Sequence, residues 1–244
     1  MDKWHDVLIG MNVEPFHGRL TGEQVVVGMN AASANAAALL EDAKLLLANG
    51  RYARAVALAV LAVEEDGKRD LIRVLSVASD ADIKKLWTAV GNHHVKNVSW
   101  IFPLLVDQGV ATLDELAAAV FSQDSSHSRT LDRLKQLSLY TDCIANGSWS
   151  EPHATIREGV ARALVDLATR HIQRPPASAA EVELARQMIG DKLPTTYGEL
   201  KERLRGVVHD AKDRGETFEG VDTEKFLADH EPLSDDTQKA GNSS

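Results

Sequence analysis

The chain has 244 residues, and its 27 Lys and Arg against 36 Asp and Glu leave a net charge of −9. Apolar residues make up 44% and charged residues 26%, the ordinary balance of a soluble globular protein built as one large domain, or one domain with an appendage. The acidic balance argues against a surface coated in nucleic-acid-binding charge, because phosphate contacts need Lys and Arg, but it leaves room for a local basic site. The single cysteine, Cys143, excludes an internal disulfide, offers no Cys/His zinc spacing and reads as a core thiol in a reducing compartment. The start MDKWHDVLIGMNVEPFHG lacks the basic opening and long apolar stretch of a secretory signal. The longest apolar run, Ala55 to Val63, is far below the roughly 20 residues that span a bilayer, so a cytoplasmic protein with no membrane association is expected.

The predicted elements are helices throughout. Thr21-Gly22-Glu23-Gln24 has the form of a capping box and opens a helix that runs to Ala48, where Asn49-Gly50 is a stop. Ala36, Leu39, Leu40, Ala43 and Leu46 give that helix one apolar face. A second helix spans about Tyr52 to Val77. Its first half, AVALAVLAV, is apolar nearly all round, as in the central helix of a bundle, and its second half, EEDGKRDLIRVL, turns polar around Gly67. Ser79-Asp80 caps a third helix carrying Ile83, Leu86, Trp87 and Val90, continuing through Asn92-His93-His94-Val95-Lys96 until Pro103 ends it near Phe102. Thr112 to Glu115 is another capping box, opening a short helix to about Phe121. A helix with Leu131, Leu134, Leu137 and Tyr140 follows, then a turn at Asn146-Gly147-Ser148. Pro152 stands in the first turn of a helix that reaches Ile172. After Pro175-Pro176 come two amphipathic helices, Ala179–Ile189 and Tyr197–Arg214. From Glu216 the composition is too polar to bury an ordered core. No alternating strand pattern and no fixed-period repeat is visible. The expected organisation is a lead segment over residues 1–20, an all-α bundle over 21–174, a C-terminal helical extension over 175–215 and a disordered acidic tail over 216–244.

Two polar segments stand out on helices that should be buried. Glu64, Glu65 and Lys68 share a face of helix two, where a solvated helix end with i,i+4 ion pairs would be the ordinary reading. Gly67 weakens that reading, since glycine costs about 1 kcal/mol inside a helix and suits close approach of another backbone or a ligand. On helix three, His93, Lys96 and Asn97 fall at i, i+3 and i+4, with His94 turned away. An imidazole that titrates near neutrality beside an ammonium that neutralises phosphoryl oxygen suits phosphate chemistry. There is no Gly-rich phosphate loop, no Gly-x-Ser-x-Gly and no His-Glu-x-x-His, so neither a metal nor a cofactor is expected. The tryptophans are scattered rather than set on a basic stripe, which argues against a stacking platform for single strands.

The run from Asn35-Ala36 through Leu39-Leu40-Glu41-Asp42-Ala43, then Tyr52, Ala55, Ala59 and Ala62-Val63-Glu64-Glu65-Asp66-Gly67-Lys68, resembles the AbiV family of abortive-infection proteins. So do Trp87 with Asn92-His93-His94-Val95-Lys96, Lys135-Gln136 with Leu139-Tyr140-Thr141-Asp142, and Trp149-Ser150-Glu151-Pro152, all in the same order. The resemblance covers roughly Asn30 to Ile172 and implies a HEPN-like bundle, a superfamily rich in dimeric, metal-independent RNases. Many of these carry an arginine followed some residues later by a histidine. In the third helix here, His93 and Lys96 stand instead. The resemblance implies a phage-defence homodimer that halts growth of the infected cell by acting on RNA, answering to a phage-encoded activator protein. A homodimer also accords with an Ala-rich surface on helices one and two larger than one small bundle can bury. If the activity is an RNase, a ribose 2′-hydroxyl attacks the adjacent phosphate. His93 would handle the proton, Lys96 and Lys68 would stabilise the phosphorane, and Glu65 would orient a cation, with Glu64, Asn92, Asn97 and Tyr140 supporting or contacting RNA. The alternative is a non-catalytic helical protein that blocks translation by binding a phage or host partner.

Overall fold

A computed structural model describes residues 15–92, 96, 105, 109–110, 112–115, 127–145, 147–189, 196–215 and 223–228. The fold is all-α apart from one small hairpin. Helix α1, Gly22–Ala48, starts at the Thr21/Gln24 capping box and ends at Asn49, with Gly50 at φ 68° carrying the chain back. Helix α2, Tyr52–Leu75, returns against α1 as an antiparallel hairpin. Its Ala55, Val56, Ala59, Val60, Ala62 and Val63 are fully buried, enclosed by α1, by α4 (His127–Leu139) and by α6 (Glu158–His171). The all-round apolar character of this stretch is thus the mark of a helix with neighbours on several sides.

Helix α3, Asp80–Gly91, packs on the second half of α2. Ser79 is its N-cap residue, but the hydroxyl donates to the Asp82 carboxylate at 2.6 Å instead of capping the backbone. The lead segment before α1 is docked on α3: Trp87 Nε1 donates to the Gly18 carbonyl at 3.0 Å, and the Phe16 ring meets the Trp87 ring edge-on. Thr112 and Glu115 form the expected reciprocal cap.

Several expectations need correction. Helix α3 ends at Gly91, where Asn92 is extended with ψ 118°; the expected continuation through His93, His94 and Asn97 lies outside the described residues. Lys96 is helical, and its N–H donates to the Asn92 carbonyl at 3.3 Å. The helix from Pro152 is likewise two pieces, α5 (Pro152–Thr155) and α6, because Ile156 adopts ψ 115° to bury its side chain in the core. The turn at Gly147 joins two strands, β1 (Asp142–Ile144) and β2 (Ser148–Ser150), paired antiparallel with Cys143 opposite Trp149. Cys143 is exposed there rather than a core thiol.

Beyond the prolines, α7 (Ala179–Ile189) lies on α1 and α2, and α8 (Tyr197–Asp213) packs on α7. Within the stretch expected to be a disordered tail, residues 223–228 are ordered. Thr223–Leu227 forms a helix, α9, whose Leu227 is buried, and the carbonyls of Leu227 and Ala228 accept from Arg205 and Lys201. The physical reason is that two long cations on α8 reach the last carbonyls of a short helix, which composition does not reveal.

Candidate functional site

The charged second half of α2 remains inside the protein. Glu64 is 2% exposed and Asp66 fully buried, so the segment is not a solvated helix end. The chain folds so because α2 is long enough to carry its polar half beneath α3, α4 and the segment around Lys96, and Gly67 permits the closest of these crossings. A Cβ built on Gly67 would stand 2.1 Å from the Lys96 carbonyl oxygen, which is backbone and cannot rotate aside. The requirement for close approach at Gly67 is therefore met by a crossing chain.

That crossing sets Lys96 beside the α2 carboxylates. Glu65 accepts from Lys68 through both oxygens, at 2.8 and 2.7 Å. Glu64 does not pair with Lys68 one turn away. It accepts from Lys135 of α4 at 2.6 Å, with both side chains buried, and Asp132 stands 3.2 Å from the same ammonium. Lys96 is 8% exposed, and its ammonium has no ion pair among the described residues. Burial is the main cause that pushes its pKa down; the Glu64 and Glu65 charges oppose this, while Lys68 and Lys135 push it down further.

Of the residues singled out in the sequence, Glu64, Glu65, Lys68 and Lys96 are thus brought together. Asn92 lies at the junction between α3 and Lys96. Tyr140 follows the end of α4 and is 59% exposed. His93, His94 and Asn97 lie outside the described residues. Lys135 was missed as a site residue, although a signal existed: Leu131, Lys135 and Ser138 occupy one helical face, and all three are buried. The arrangement is three lysines around three carboxylates, two of the lysines already paired and the third held in a dry setting. An anion reaching Lys96 would stabilise the charged form that burial disfavours.

A second polar group escaped the sequence reading altogether. Asp66, on the other side of α2, faces His171 of α6 at 3.4 Å and Arg174 at 2.9 Å. Its pKa is raised to about 6, mainly by burial and against the pull of Arg174, while burial lowers His171 to about 4. The signal was a histidine on the apolar stripe of Leu164, Ala168 and His171. An arginine and a histidine in the order familiar from HEPN enzymes do occur six apart on α8, as Arg203 and His209. There Arg203 pairs with Glu199 and the exposed His209 with Asp213, so they form no joint site. No cluster of three metal-ligating side chains occurs among the described residues, and no helix among them is long and apolar enough to cross a membrane.

A hairpin of long helices enclosing a buried, charge-lined α2 and flanked by α4 and α6 defines a HEPN-type helical protein. The AbiV profile of that superfamily, HEPN_AbiV, matches residues 24–173, from the first turn of α1 to just past α6, and the chain belongs to the AbiV family. Curated proteins and solved structures yielded no match.

Proposed function

We propose that this abortive-infection HEPN-type protein acts as a homodimeric ribonuclease that stops growth of phage-infected cells, and that the Lys68, Lys96 and Lys135 cluster receives the phosphate. The observation that supports it best is Lys96, a nearly buried ammonium without an ion pair among the described residues, whose charge feels Lys68 and Lys135 as well as Glu64 and Glu65. Such a group costs free energy unless an anion visits it, which is what a phosphorane would supply. In this reading His93 moves the proton between the ribose 2′-hydroxyl and the leaving 5′-oxygen, Lys96 neutralises the phosphoryl charge, and Glu65 holds Lys68 in place. A phage-encoded protein is the proposed trigger.

A second reading has its own support. Glu64–Lys135 and Glu65–Lys68 are ion pairs within the protein, as expected of a polar core in a non-catalytic protein that binds a phage or host partner. RNA 5′-end sequencing separates the two. Cells expressing the wild type should accumulate new 5′ ends, and His93→Ala and Lys96→Ala should abolish them while circular dichroism stays unchanged. Variants that fold, leave the RNA uncut and still protect against phage would favour the binding protein.

A further inference from the structure

The segment after α6 begins where the AbiV match ends, and its attachment to the bundle is unusually polar. Arg174 forks onto Asp70 at 2.8 and 3.2 Å, and the Pro175 carbonyl accepts from Arg69 at 2.9 Å. Ala177 exchanges two hydrogen bonds with the Asn30 side chain, at 2.8 and 3.2 Å. On α7, Glu181 receives Arg69 at 2.8 Å and Arg73 at 3.1 Å. Beneath these contacts Ala177 and Val182 cover Val25, Met29, Ala32 and Ile72 of α1 and α2.

One member of this set works against the rest. Asp66 is fully buried, and neither of its oxygens has a hydrogen-bond partner among the described residues. The same holds for Arg69 Nε and His171 Nε2. Arg174 approaches Asp66 at 2.9 Å without hydrogen-bond geometry, since its fork is committed to Asp70. The charged and titratable groups facing Asp66 are Arg69 and Asp70 on α2, the neutral His171 on α6 and Arg174 beyond it, with Arg73 and Glu181 adjoining. A buried carboxylate so poorly satisfied costs more than its Coulomb attraction returns.

We propose that residues 174–189 are a releasable strap over α1 and α2, and that the buried Asp66 carboxylate loads it toward release while Arg174 holds it shut. Release would uncover the apolar strip of Val25, Met29, Ala32 and Ile72, and would free Arg69 and Arg73 from Glu181. The raised pKa of Asp66, caused mainly by burial and opposed by Arg174, agrees in sign: its ionised form prefers any state in which water reaches it.

Hydrogen exchange of the full-length protein at pH 7.5 tests this. Asp66→Asn keeps the shape and removes the charge. It should slow exchange in 174–189 by up to about 100-fold, two pKa units at a factor of ten each, with residues 22–63 unchanged. Arg174→Met should speed exchange in the strap on the order of 100-fold, and adding Asp66→Asn should restore most of the protection. If Arg174→Met fails to fold, Glu181→Gln loosens the strap from its other end and should act on 174–189 alone. Exchange in Asp66→Asn as fast as wild type or faster would overturn the proposal. So would joint exchange of 174–189 and 22–63 in every variant.

Discussion

Replacing Gly67 by alanine should destabilise the protein, although alanine is the better helix former. The added Cβ would lie 2.1 Å from the Lys96 carbonyl oxygen and 3.0 Å from its carbon. Reaching even the tightest normal contact, about 3 Å, requires the crossing to open by roughly 1 Å, and both obstacles are backbone in a close-packed interior. Overpacking of this kind costs about 1–3 kcal/mol, and a backbone obstacle puts it at the upper end. The helix-propensity gain returns about 1 kcal/mol. The net expectation is a loss of about 2 kcal/mol, a melting point lower by about 4–8 °C for a domain of this size. Gly206, exposed in α8 with nothing within 4 Å of its built Cβ, is the matched control, and Gly206→Ala should gain about 0.5–1 kcal/mol. Urea unfolding of the three proteins side by side is the assay. Gly67→Ala at or above wild-type stability would refute the close crossing, and with it the position given to Lys96.

Lys135→Met removes the 2.6 Å ion pair to the buried Glu64 and should cost about 3 kcal/mol in urea; Glu64→Gln in the same chain should recover much of this, whereas equal stability of both proteins would deny the pair. The Asp66–His171 pair makes a signed pH prediction. A carboxyl raised from 3.8 to about 6 contributes stability present below pH 3.8 and lost as pH rises through 6, and an imidazole lowered from 6.5 to about 4 contributes stability present above 6.5 and lost as pH falls through 4. The two slopes oppose each other between pH 4 and 6, so the wild type should be nearly flat with respect to this pair. Asp66→Asn should then gain stability with rising pH, and His171→Gln should lose it, each by up to about 3 kcal/mol across the window; parallel slopes in the two variants would exclude the opposite shifts. Truncation after Gly215 removes α9 and its buried Leu227, and should lower the melting point by a few degrees through about 2 kcal/mol of lost burial. An unchanged melting curve would mean that α9 contributes nothing to the fold.

What the sequence by itself determined was local. The Thr21/Gln24 box, the Asn49-Gly50 stop and the Thr112/Glu115 box are contacts within a few residues, so their chemistry is complete in the string of letters. The unbroken apolar stretch from Ala55 to Val63 announced a central helix for the same reason, since burial on every side demands it. Gly67 told that something approaches closely, but not what. Partner choice across the fold was illegible. Glu64 has Lys68 one turn away and takes Lys135 of α4 instead, because the interior offers a dry, short contact where the helix surface offers only a screened one. Asp66 read as one more charge in a polar run until α6 and the segment after it set His171 and Arg174 against it. The acidic stretch after Gly215 looked too polar to order, and α9 forms because α8 supplies cations to its carbonyls and a place for Leu227. Propensity and spacing act within a helical turn or two, whereas the pairing of buried charges is decided by whichever elements exclude the water between them, and that is settled only when the helices pack.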